Sequence, residues 1–137
     1  MKLITLVLFA VTNAFACDCE YGLENARRWL RDADVAFVGR SVTQSRLGGW
    51  MDGMQMMTTT FHVTEGFKNI KRGERFRLLS PPEQSSCGIV WRRNEGPHLI
   101  FGYRGPGGVL HTTNCAVHET RYRDVQTFVR ELRRHRH

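Results

Sequence analysis

Four cysteines constrain the fold of this chain more than any other feature of its sequence. Cys17 and Cys19 stand close together near the start, whereas Cys87 and Cys115 lie far along the chain. An even number of cysteines in a small exported domain favours disulfides over free thiols. A bond between Cys17 and Cys19 would close a strained ring, so two pairings remain, and both tie the N-terminal region to distant segments. Each disulfide would close a loop of roughly 70 to 100 residues. In the chain-entropy model, such a bond stabilises the folded state by about 4 kcal/mol.

Residues 1–16 have the pattern of a secretory signal peptide. Lys2 gives a basic start, residues 3–11 form an apolar run, and Ala14-Phe15-Ala16 is a small-x-small cleavage site. The run is shorter than the about 20 residues that span a bilayer, and no later segment is apolar enough to be a membrane span. We therefore expect a secreted, extracellular protein with no membrane span, whose mature domain covers residues 17–137. A lipoprotein site, which would acylate Cys17, fits less well because such sites prefer Leu where Ala14 stands.

Hydrophobic periodicity predicts a mainly β domain with a helix at each end. The first helix is expected over residues 20–33, on the apolar stripe of Leu23, Ala26, Leu30 and Ala33. Alternation between residues 57 and 63 is typical of a strand with one buried face. Five short strands with Gly-rich turns suit a small closed barrel that has helices packed outside it. The five strands are expected at 35–42, from 57, from 75 to the Pro81-Pro82 pair, at 98–103 and at 109–115. A loop is expected at 44–53 and a basic turn at 66–73. The last helix is expected on the stripe of Val125, Phe128, Val129 and Leu132, with Asp124 as its N-cap.

The chain carries a formal net charge of +7, which favours acidic partners. Secretion argues against nucleic acid as the partner and leaves extracellular glycosaminoglycan as a possible one. The six histidines are scattered, and no nucleophile stands at a spacing that singles out a catalytic base. We therefore expect neither an enzyme nor a bound metal or other cofactor of the protein's own. The basic residues expected at the surface are Lys68, Lys71, Arg72, Arg75 and Arg77, and the segment 130–136. The Arg-rich end, residues 133–137, is expected to fray.

Short motifs along the chain resemble those of one family of secreted proteins. Cys17-Asp18-Cys19 would open the mature chain, and the spacings to Cys87 and Cys115 are close to that family's pattern. The family is the tissue inhibitors of metalloproteinases, and the likeness is to their N-terminal, netrin-type (NTR) domain. The other motifs that carry the resemblance are Ala33-Asp34-Val35, Phe67-Lys68, Ser85-Ser86-Cys87-Gly88, residues 98–102 and residues 110–115.

The resemblance implies a five-stranded OB-fold-like closed barrel with flanking helices. It also implies the disulfides Cys17–Cys87 and Cys19–Cys115. One departure concerns Asp18, because the inhibitors usually carry a small Ser or Thr at this position. A second departure is that the family's third disulfide in this domain has no counterpart here.

The function that the resemblance implies is inhibition of a secreted or cell-surface zinc metalloproteinase. The free amine and the carbonyl oxygen of Cys17 would chelate the protease's catalytic zinc, at the position that such an enzyme keeps open for water. The alternative is that Cys-x-Cys serves only as a disulfide anchor in a non-inhibitory extracellular binding module, with a protein or glycosaminoglycan partner. The expected inhibitory wedge consists of Cys17, Asp18, Cys19, Ser85, Ser86 and Cys87.

Overall fold

A computed structural model of the chain describes residues 19, 22–45, 49–51, 53–82, 87–89 and 97–136. The expected signal peptide, residues 1–16, lies outside the described residues. None of the helices within these ranges is long and apolar enough to cross a bilayer. The elements are α1 (Ala26–Asp32), β1 (Val35–Ser45), β2 (Trp50–Met51), β3 (Met54–Gln55), β4 (Met57–Lys68), β5 (Arg75–Ser80), β6 (His98–Arg104), β7 (Leu110–His111), β8 (Val117–Glu119) and α2 (Arg123–His135).

The main sheet closes on itself because β1 has a partner on each side. It pairs with β4 along most of its length, and its first residues, from Val35 to Gly39, also pair with β6. The ring runs β1-β4-β5-β7-β6 and returns to β1, with β5 and β7 parallel and the other pairs antiparallel. The mainly β, OB-fold-like closed barrel with flanking helices that the sequence predicts is therefore confirmed. Closure covers the edge of β1 from Val35 to Gly39, which would otherwise be open.

The first five residues of β1 (Val35–Gly39) and of β6 (His98–Gly102) are buried on both faces, because the inner face fills the barrel and the outer face lies under the helices. Inside the barrel, Phe37 of β1 packs edge to face on Phe61 of β4, with ring centroids 5.7 Å apart. Outside it, the ring of Phe101 of β6 packs against Trp29 of α1 and Phe128 of α2, with ring centroids 4.4 and 6.3 Å apart. The barrel therefore has two cores, and the outer core fixes the helices onto the strands.

The helix predictions are correct in place but not in every boundary. In α2, the predicted stripe of Val125, Phe128, Val129 and Leu132 is buried. Its N-cap is Tyr122, and Asp124 lies in the first turn instead, where a carboxylate also favours the helix dipole. Helix α1 begins at Ala26, because the side chain of Asn25 accepts a hydrogen bond from the Arg28 N–H and caps the helix there.

Three loop and strand predictions need correction. The segment expected to be a loop at 44–53 contains β2 and, with β3, forms a small hairpin. Gly66, expected in a turn, lies within β4, where an added Cβ would overlap the backbone carbonyl of Ile70. The strand expected at 109–115 is only two residues long, and a 3-10 turn (Asn114–Ala116) separates it from β8. Strands β7 and β8 both pair with β6, so the turn interrupts one side of the barrel.

Candidate functional site

The 3-10 turn between β7 and β8 holds the Cys19–Cys115 disulfide. The two Cα atoms are 5.4 Å apart, and Cys19 is exposed. This is the pairing that the family resemblance implies. The bond fixes Cys19 to the barrel at the point where the 3-10 turn separates β7 from β8.

Cys87 reaches the same turn through its backbone. Its carbonyl oxygen accepts a hydrogen bond of 3.2 Å from the N–H of Asn114, the residue before Cys115. Cys87 is itself disulfide-bonded. Its predicted partner, Cys17, lies outside the described residues. The same is true of three other residues of the expected wedge, Asp18, Ser85 and Ser86.

The turn is held firmly by Thr112, which is 1% exposed. The Thr112 N–H donates to the Leu79 carbonyl at 2.7 Å, and its hydroxyl donates to the Phe101 carbonyl at 2.8 Å. These bonds join the approach to the turn to β5 and β6 at once. Because buried polar groups that find partners specify a single geometry, Cys115 has a rigid support.

A second anchor holds the chain shortly after Cys19. The indole N–H of Trp29 donates to the Gly22 carbonyl at 2.9 Å, and the Trp29 side chain is 3% exposed. Cys19 is thus held by the disulfide, and Gly22, three residues later, is held to α1. The helical stripe in the sequence missed Trp29, although a tryptophan three residues after Ala26 falls on the same helical face.

His118 lies beneath the turn and against Trp29, whose ring it meets edge to face at 5.9 Å. Burial lowers the pKa of His118 below its ordinary value of 6.5, although a hydrogen bond with the Cys115 backbone and the charge of Asp124 oppose this shift. The imidazole is therefore neutral near pH 7. A neutral ring is the form that this mainly apolar position favours.

The structure divides the predicted basic clusters into separate groups. Lys68 is not a surface cation: its ammonium group donates to the carbonyls of Leu30 and Ala33, each at 2.6 Å, at the end of α1. Of the end expected to fray, Arg133, Arg134 and His135 belong to α2, where Arg133 pairs with Glu65 at 2.7 Å, and His137 lies outside the described residues. In the predicted cluster that contains Lys68, the other four cations are exposed: Lys71, Arg72, Arg75 and Arg77.

Within the described ranges, no group of three or more His, Cys, Asp or Glu side chains is arranged to hold a metal ion. The arrangement of the described wedge residues provides rigidity instead. Cys19 and Cys87 approach one turn from two distant parts of the chain, and the turn is bonded to the barrel. Such a site can present backbone groups to a partner at low entropic cost, because their geometry is fixed before binding.

No protein-family model matches this chain, and a search of curated proteins finds none with significant similarity. The resemblance to the metalloproteinase inhibitors therefore depends on the cysteine spacing and the short motifs around it.

Proposed function

We propose that this chain is a secreted inhibitor of zinc metalloproteinases that acts through its mature N-terminus. The observation that carries the proposal is the meeting of Cys19 and Cys87 at the 3-10 turn that contains Cys115. The two segments belong to one rigid edge, and Cys17 is only two residues from Cys19 in the sequence. A terminus supported in this way loses little freedom when it enters a protease cleft.

The chemistry of the proposed wedge requires Cys17 to be the first residue and to be unmodified. Its α-amine and carbonyl oxygen would form a five-membered chelate with the zinc of the target enzyme. The amine must be neutral to donate, and its reference pKa of about 7.7–8.0 makes deprotonation next to a cation easy at physiological pH. The role of the Cys17 side chain is to anchor the terminus.

Asp18 determines which enzymes this wedge fits. The side chain after the chelating residue would point into the protease's primary specificity pocket. A carboxylate without a partner is costly to bury in an apolar pocket. We therefore expect weak inhibition of apolar-pocket enzymes and stronger inhibition of a protease that has a basic group there.

The test compares inhibition constants for three forms against a panel of zinc metalloproteinases. Asp18→Thr should strengthen inhibition of an apolar-pocket enzyme at least about tenfold, or roughly 1.4 kcal/mol. One alanine added before Cys17 should abolish inhibition, because it moves the amine away from the zinc. The matched control carries one alanine after His137 and should inhibit as the native protein does.

N-terminal sequencing of the secreted protein comes first, because it establishes whether Cys17 is the first residue and has an unmodified α-amine. If it does, and the extended form inhibits like the native one, the wedge is not used. The second candidate function, a non-inhibitory extracellular binding module, would then replace the first. Asp18 is the feature that favours this second candidate, because it departs from the family's small residue.

A further inference from the structure

Two adjoining cavities form a groove between α2 and the barrel, away from the 3-10 turn. Their volumes are about 440 and 610 Å³, and Thr64 and Glu65 of β4 line both. The first continues along α2 past Arg130 and Arg133, and the second reaches the turn after β4. We call this feature the basic groove. Its charged lining residues are Glu65, Lys71, Arg72, Arg130, Arg133 and Arg136.

The charges of the groove are strongly unequal. Among the described residues that line it, Glu65 is the only acidic one, against five cations. Both carboxylate oxygens of Glu65 are already occupied: Arg133 donates to them at 2.8 and 2.7 Å, and Arg136 donates at 3.2 Å. Glu65 thereby holds Arg133 and Arg136 in place, and the groove keeps a net positive charge.

The cations of the groove come from two separate parts of the fold. Lys71 and Arg72 are exposed on the turn between β4 and β5, whereas Arg130, Arg133 and Arg136 come from the C-terminal half of α2 and the residue after it. Because these cations line two adjoining cavities, a ligand that contacts both sets must be extended and multiply anionic.

We propose that the basic groove binds a linear sulfated polysaccharide of the heparin type. Sulfate groups offer several oxygens to guanidinium donors, which suit such acceptors in a forked geometry. The Cys19–Cys115 disulfide favours an oxidising compartment, where such polymers occur and nucleic acids are uncommon. This proposal is independent of protease inhibition, and either can fail alone.

The first test neutralises the two groove cations on the turn between β4 and β5. Lys71→Gln/Arg72→Gln should weaken binding of a heparin-derived oligosaccharide at least about tenfold and lower the salt slope of log K by about 1 per side chain, through reduced counterion release. The matched control, Arg75→Gln/Arg77→Gln, removes the same charge from exposed positions on β5 that do not line the groove. The control should weaken binding by no more than about twofold, since exposed charges that do not contact the ligand are screened by salt.

The second test adds charge instead of removing it. Glu65→Gln should strengthen oligosaccharide binding about threefold to fivefold, because Arg133 and Arg136 then have donors available for sulfate. Glu131→Gln is the control, because Glu131 pairs with Arg134 outside the groove at 2.7 Å and its loss changes the net charge equally. It should leave the affinity nearly unchanged. Circular dichroism establishes that all four variants are folded.

The proposal would be overturned if the two double variants lost oligosaccharide affinity equally, or if Glu65→Gln and Glu131→Gln gained it equally. Either result would indicate non-specific attraction by net charge. Binding to anionic phospholipid vesicles or to a DNA oligonucleotide that matches or exceeds binding to the oligosaccharide, and that depends on the same groove residues, would also overturn it. An inhibition assay on the same variants is expected to show no change, which keeps this result separate from the proposed inhibitor function.

Discussion

Lys68 provides the most direct test of how the first helix is held to the barrel. Its ammonium group donates to the carbonyls of Leu30 and Ala33 at 2.6 Å and contacts that of Arg31 at 3.4 Å. Carbonyls in the last turn of a helix lack partners within the helix, and a cation there also interacts favourably with the helix dipole. Lys68→Met keeps most of the apolar stem but removes every one of these bonds.

The expected loss follows from the contacts. A hydrogen bond to a charged group contributes about 1.5–3 kcal/mol. Lys68 is half-buried, so water can reach part of the site, and we take the lower value for each of the two short bonds. Lys68→Met should therefore lower the free energy of unfolding by about 3 kcal/mol.

The assay is urea unfolding, monitored by tryptophan fluorescence. The comparison requires that the free energy of unfolding fall with urea concentration at the same slope in each variant. Lys71→Met serves as the control, because Lys71 is an exposed lysine on the neighbouring turn and should cost less than about 0.5 kcal/mol. If the free energies of unfolding of the two variants differ by less than about 0.5 kcal/mol, the Lys68 contacts do not hold α1, and the reasoning is refuted.

Three further predictions concern other parts of the fold. Cys19→Ser/Cys115→Ser opens a loop with a separation of 96 residues, which should lower the free energy of unfolding by up to about 4.7 kcal/mol; a loss below about 1 kcal/mol in urea would count against the chain-entropy account. Gly66→Ala should destabilise by at least about 2 kcal/mol in the same assay, because its Cβ would overlap backbone, whereas Gly22→Ala meets only a flexible carboxylate and serves as the control. His118 favours the neutral form in the folded state, so its contribution to stability is present above about pH 6.5 and is lost as the pH falls towards the lower folded pKa; His118→Gln should flatten urea midpoints measured across this range, and an unchanged slope would contradict the assignment.

The parts of the fold that sequence analysis predicted well are those determined by local pattern. Thr59, Phe61 and Val63 alternate with more exposed residues and are buried inside the barrel, because only one face of β4 packs there. The strand expected at 109–115 was wrong because its end is determined by tertiary contacts. The 3-10 turn there carries a bond to Cys19, and no local rule encodes that bond.

The roles of charged residues were the least predictable. Lys68 looked like one member of a basic cluster, yet its acceptors lie 35 to 38 residues earlier in the chain. Arg133 looked like part of a fraying end, yet its acceptor Glu65 is 68 residues away. In each case the sequence specifies the donor, and only the folded barrel brings the acceptor within reach. The Cys19–Cys115 pairing was predicted because the family resemblance supplied the long-range information.

The double pairing of β1 has a consequence for how the chain folds. Its partner β4 follows through a hairpin, but β6, which seals the barrel, starts only at His98. The ring therefore forms through contacts between residues far apart in sequence, a topology that folds more slowly than local hairpins or helix pairs. Until β6 docks, β1 has an unpaired edge of apolar residues, the kind of surface that drives aggregation of folding intermediates. During synthesis, the N-terminal strands must stay unsealed until β6 has been made.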